Sequence, residues 1–175
     1  HKKGSKVFLC WQVSNVGLGL PSEGKENGFA LFRQKYGEQK TSENETFRCQ
    51  IYARDLARYI IACGFDGFDI DWEPNIGNHN RSGYNEFASG TSVNGYNQNM
   101  NTFIAEIGKY FGDKYSGDQR KQYLRELFDE NHSGYHEKEK EYIRAYKPFF
   151  EKGNYVEKKY YLLYDGERQL NFTLN

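Results

Sequence analysis

An α/β fold with a parallel sheet is predicted for this chain of 175 residues by three observations. β-prone apolar runs alternate with helical patterns in the order strand, helix, strand, helix, strand, the signature of βαβ units. The first of these runs is almost continuously apolar, as strands covered on both faces are. The helical stretches have the length of crossover helices, which connect parallel strands with a right-handed sense.

Each element follows from its residues. Lys6 to Val13 reads as the first strand, ending at Ser14-Asn15, and residues 17–28, rich in Gly, Pro and Ser, read as a loop. From Thr46 to Cys63 the residues Phe47, Ile51, Leu56, Tyr59, Ile60 and Cys63 recur at mostly helical spacing, with Arg48, Arg54 and Arg58 interleaved. Gly64 is a natural stop for that helix, because glycine takes the left-handed conformation without strain. Phe65 to Trp72 is the second strand. Residues 75–95, rich in Asn, Gly and Ser, form a long loop of the kind that compact domains reserve for function. A second helix is expected at about 97–111, with Met100, Phe103, Ile104, Ile107 and Phe111 on one face and Gly112 closing it. Residues 113–159 are densely charged, with helical stretches near 119–130 and 137–150, and read as a surface excursion. Lys159 to Tyr164 is the third strand, halted by Asp165-Gly166.

Composition narrows the function. The 24 Lys+Arg balance the 24 Asp+Glu, which argues against a nucleic-acid binder or a protein held on an acidic membrane. No apolar run approaches the ~18 residues of a membrane span. With 13 Phe and 15 Tyr the chain is far too aromatic to be disordered. Cys10, Cys49 and Cys63 show neither a CxxC pair nor metal-ligand spacing, and are expected as buried or half-buried thiols. The histidines are scattered among polar residues, so neither a metal nor another cofactor is expected.

The informative segment is Asp66-Gly67-Phe68-Asp69-Ile70-Asp71-Trp72-Glu73-Pro74. Side chains alternate along a strand, so Phe68, Ile70 and Trp72 face covering helices while Asp69, Asp71 and Glu73 line the other face. A row of carboxylates on one face of a buried strand is costly. Desolvation and like-charge repulsion each raise their proton affinity, and one proton is expected to be shared. A glutamate at the solvent end of such a row is suited to general acid catalysis near neutral pH. Calcium binding would instead call for ligands on a loop.

Asp66 to Glu73 resembles the DxxDxDxE signature of family-18 glycoside hydrolases, the chitinases and endo-β-N-acetylglucosaminidases, with all four acidic positions present. The resemblance is specific over those eight residues, is supported by element order from about residue 6 to 112, and is weak over 113–159. It implies a (β/α)8 barrel with the motif on the fourth strand, its last residue at the carboxyl end where such barrels hold their chemistry. The three strand runs would then be strands three to five. A barrel of eight strands takes ~250 residues, so the chain is expected to be a fragment of one catalytic domain spanning 1–175, with the excursion at 113–159 inserted.

The resemblance also implies a retaining, substrate-assisted hydrolysis of β-1,4 linkages between N-acetylglucosamine units, without a cofactor. In it Glu73 is the general acid, Asp71 orients the substrate's acetamido group, Asp69 shares a proton with Asp71, and Asp66 is structural. Asn75, Asn78 and Tyr84, in the loop after the motif, and Tyr164 at the end of the third strand run are candidates for binding sugar. The Asn/Gly-rich continuation, and a Gln12-Val13-Ser14-Asn15 stretch lacking the chitinases' SxGG, favour an endo-β-N-acetylglucosaminidase acting on N-glycans. A chitinase, or a catalytically inactive glycan-binding barrel, are the alternatives. The partner expected is an N-acetylglucosamine-containing glycan or glycoprotein, the state a monomer, and the location, from the substrate, secreted or at the cell envelope.

Overall fold

The computed structural model describes residues 4–12, 42–72 and 98–166. In chain order these form β1 (Phe8–Gln12), α1 (Ser42–Ala62), β2 (Gly67–Trp72), α2 (Gln98–Ile107), α3 (Gly117–Leu127), α4 (Glu137–Phe150) and β3 (Tyr161–Gly166). The strands make one parallel sheet in the order β1-β2-β3. The α/β class and the parallel sheet are therefore as the alternation of runs predicts.

Register decides which residues share a face. Leu9, Phe68 and Leu162 form one cross-strand row, and Trp11, Ile70 and Tyr164 another. Phe68 and Ile70 are buried in the core together with Ala53, Ala57 and Ile60 of α1 and Phe103 and Ile107 of α2, and Leu9, Leu162 and Tyr164 pack against it. The helices thus cover one face of the sheet. On the opposite face Cys10 and Leu163 are exposed and Asp69 and Asp71 are half-buried.

The end of α1 shows why it stops where it does. Gly64 takes φ +79°, its N–H donates to the Ile61 carbonyl, and the Phe65 N–H reaches back to the Ile60 carbonyl at 3.1 Å. This Schellman arrangement satisfies carbonyls that would otherwise be orphaned. Tyr59 and Cys63, expected on the apolar face of this helix, are exposed. Ile51 and Ile60 are buried as expected, and Ala53, Ala57 and Ile61 complete the buried stripe. Cys10 is exposed as well, on the face of the sheet opposite the described helices. β3 runs on through Asp165-Gly166 because these residues pair with Asp71 and Trp72.

The charged stretch is more than a surface excursion. Leu124 and Leu127 of α3, Phe128, Phe150 of α4 and Tyr160 all enter the same core cluster. Phe128 stacks on Phe150 at 4.1 Å and meets Tyr155 edge-on at 5.0 Å. Its charges explain the weak amphipathic pattern, because one of them is in the core. Glu139 is fully buried and takes both Arg54 Nε (2.6 Å) and Arg54 Nη2 (2.9 Å), with Arg58 Nη1 at 3.0 Å. Arg58 also donates to the Leu127 carbonyl and to Asp55, and Arg54 Nη1 reaches Glu106 at 3.5 Å. Glu106 receives Lys109 and the Tyr110 hydroxyl. The Tyr135 ring lies against both guanidiniums, 5.0 and 4.8 Å from its centroid. Three cations thus meet three anions, and α1, α2 and α4 are tied together through a charge-balanced network.

Candidate active site

The acidic segment is built onto the central strand. Asp66, just before β2, is buried and joins all three strands at their amino ends. Its Oδ2 accepts the Val7 N–H at 2.8 Å, its backbone N–H donates to the Val7 carbonyl, and its own carbonyl accepts the Tyr161 N–H at 3.0 Å. Its other carboxylate oxygen lies 3.0 Å from Lys158 Nζ, which also donates to the Gly64 and Phe65 carbonyls. Burial works against the charge, but the Val7 amide and Lys158 prevail and hold the Asp66 carboxyl below its ordinary value. Gly67 follows because a Cβ there would collide with the Tyr161 backbone. The close approach of β2 to β3 requires glycine.

Beyond Gly67 the strand alternates as the pattern predicts. Phe68 and Ile70 are buried under the helices, and Asp69 and Asp71 lie on the opposite face. In an extended strand their Cα atoms stand about 6.6 Å apart. The register gives each a row. Asp69 sits between Cys10 and Leu163, and Asp71 between Gln12 and Asp165. Strand neighbours lie about 4.8 Å apart, so Asp165 occupies the position beside Asp71. Reading single runs could not reveal these neighbours, because register depends on how the strands align, although the Asp66–Tyr161 and Asp66–Val7 contacts now fix it.

Asp69 and Asp71 are thus brought onto one face, while Tyr164 is not with them. It shares the row of Ile70, on the helix-covered side, and packs against the core. Glu73, Asn75, Asn78 and Tyr84 lie outside the described residues. In the sequence Glu73 follows directly on Trp72, the last residue of β2. Among the described residues no group of three or more His, Cys, Asp or Glu is placed to hold a metal ion, and no helix is long and apolar enough to cross a membrane.

The two ends of the sheet differ in kind. The amino end is closed by Asp66, Lys158 and the chain returning from α4, and its polar groups are satisfied by one another. The carboxyl end is where β1 stops at Gln12 and β2 at Trp72, one residue beyond Asp71. No family model matches the chain, and neither the curated proteins nor the solved structures include a match.

Proposed function

We propose that this chain is the central part of the catalytic barrel of a glycoside hydrolase resembling family 18, acting on glycans that contain N-acetylglucosamine. The observation that carries the reading is the pair Asp69 and Asp71 on one face of the central parallel strand, whose other face is packed under helices, with Glu73 two residues further on in the sequence. Carboxylates at alternate positions can hand a proton along a line, and the line ends at the edge where loops can hold a substrate. A parallel sheet whose described helices all pack on one face is also what a segment of a (β/α)8 barrel would present, the other face becoming the interior.

In this reading Glu73 protonates the leaving glycosidic oxygen. The substrate's acetamido oxygen attacks the anomeric carbon, forming an oxazolinium ion as the C–O bond to the leaving group breaks. Asp71 accepts the acetamido N–H and stabilises the positive charge that develops on the ring. Glu73, now a carboxylate, takes a proton from water, which opens the oxazolinium with retention of configuration. Asp69 sits one row deeper and shares a proton with Asp71, an exchange that becomes favourable once the barrel interior excludes water. Asp66 keeps a structural role. Asn75, Asn78 and Tyr84 supply hydroxyl and ring contacts for the sugar. An N-glycan substrate places the protein outside the cytoplasm, secreted or at the cell envelope.

The test is the intact mass of an N-glycosylated protein incubated with the protein that carries this chain. A mass drop that leaves one N-acetylglucosamine on asparagine establishes the endo-β-N-acetylglucosaminidase. An unchanged mass with cleavage of chitin oligosaccharides selects the chitinase, to which Trp72-Glu73-Pro74 also conforms. Binding of either glycan without cleavage would replace the enzyme by a glycan-binding barrel.

A further inference from the structure

The connector between α3 and α4, residues 128–136, carries two histidines that do the same unusual thing. The Nδ1 of His132 accepts the backbone N–H of Gly134 at 3.1 Å. The Nδ1 of His136 accepts the backbone N–H of Lys138 at 3.1 Å and so caps α4. A backbone amide can only donate, so each Nδ1 must present its lone pair and each imidazole must be neutral. An imidazolium has a hydrogen on both nitrogens. It would turn a donor toward the amide, and at His136 it would also set a positive charge at the positive end of a helix dipole.

These two rings bracket the residues that dock the excursion. His132 stacks on Tyr135 at 4.2 Å. The Tyr135 ring packs against Arg54 and Arg58 of α1, and its hydroxyl donates to the Glu126 carbonyl at 3.0 Å. The His136 N–H donates to Glu139, which pairs with the same two arginines. We propose that the 128–136 connector, with the first turn of α4, is a pH-sensitive clasp, in which proton uptake by His132 and His136 releases two backbone hydrogen bonds and loosens the hold of the excursion on α1.

Glu137 faces His136 and is held by Lys140. Lys138 pairs with Glu141, and Glu130 with Arg144 at 3.6 Å. The Asp129 carboxylate accepts the Asn131 N–H. From α1 come Arg54, Arg58 and Asp55, and from α2 Glu106. Glu139 stays ionised throughout the imidazole range. Its burial opposes the charge, but Arg54 and Arg58 hold its carboxyl below the ordinary value. The ionic contact with α1 therefore persists while the turns on either side of it open.

The experiment is nuclear magnetic resonance on the whole chain at pH 7.5 and pH 5.0, reading imidazole nitrogen shifts and amide exchange. At pH 7.5 both rings should show Nδ1 without a proton. Between the two pH values the protection factors at Gly134 and Lys138 should fall about three- to tenfold, the scale of a lost cap, while Ala57 and Ile60 of α1 keep theirs. The double variant His132→Asn with His136→Asn offers a side-chain oxygen to the same amides at any pH, so its protection should not depend on pH. Rings that carry the proton on Nδ1 at pH 7.5 would overturn the proposal, and so would protection at Gly134 and Lys138 that stays flat. An equal fall in the double variant would do the same. If that variant does not fold, the first two readings on the unaltered chain decide.

Discussion

Glu139 holds two arginines in the core by its single carboxylate, and the consequence is asymmetric. A buried pair contributes little over an apolar replacement, but removing one partner leaves charges stranded. Glu139→Gln is therefore expected to lower the unfolding free energy by about 3–5 kcal/mol in urea titrations, because Arg54 and Arg58 lose their shared anion. Glu141→Gln, which breaks only the exposed pair with Lys138, should change it by less than about 0.5 kcal/mol. A small effect at Glu139 would show that the network is not closed as described. Acid sensitivity follows from the same side chains. Burial opposes ionisation of Asp66 and Glu139, yet their partners bring both carboxyls below the ordinary values of 3.8 and 4.5. The native state then binds fewer protons than the unfolded chain, so stability rises with pH in that window. Their contribution is complete above about pH 5 and is lost as pH falls through the lowered native values. Asp66→Asn should flatten this acid limb in a series of melting temperatures from pH 6 to 2.5. An unchanged limb would remove Asp66 from its role at the sheet's amino end.

At the scale of elements, two glycines carry opposite kinds of constraint. Gly64 has open space around it, and only its φ of +79° demands glycine. Gly64→Ala should cost about 1 kcal/mol and leave the fold intact. Gly67 has ordinary backbone angles but no room, because Tyr161 lies where a Cβ would be. Gly67→Ala should therefore be far worse, separating β2 from β3 and destabilising the chain by several kcal/mol, as forced backbone shifts do. Equal effects at the two positions would contradict the close approach of these strands. The elements themselves were largely legible in the residues. Apolar runs marked the strands, and Gly64 marked the end of α1. The buried arginines were not, although Ile51, Arg54, Arg58 and Ile61 lie at i, i+3, i+7 and i+10, one helical stripe with apolar residues at both ends. Their charge hid a position that only a partner from α4, 81 residues away for Arg58 and Glu139, makes tolerable. The edge of β3 was missed for a similar reason. Asp165-Gly166 has turn chemistry by itself, and pairing with β2 overrides it.

For the whole molecule, the two ends of the sheet divide the work. The amino end is a closed set of hydrogen bonds around Asp66 and Lys158, and the excursion returns there to complete the core. The opposite end is where β1 and β2 stop and towards which Asp69 and Asp71 lead. The facing of Asp69 and Asp71 could be read from alternation alone, since Phe68 and Ile70 had to be covered. The placement of Tyr164 could not, because it depends on register with Ile70. The face of the sheet opposite the described helices, with Cys10, Leu163 and the two aspartates upon it, is the side on which the proposed chemistry depends. The central proposal is that Glu73, two residues beyond Asp71 in the sequence, is the general acid. Its most direct test is glycan release by the protein carrying Glu73→Gln, followed beside the unaltered protein on the same N-glycosylated substrate. The account predicts a loss of turnover of at least about a hundredfold, the scale of a missing general acid, with glycan binding retained. Retention of more than a few per cent of the activity would contradict it.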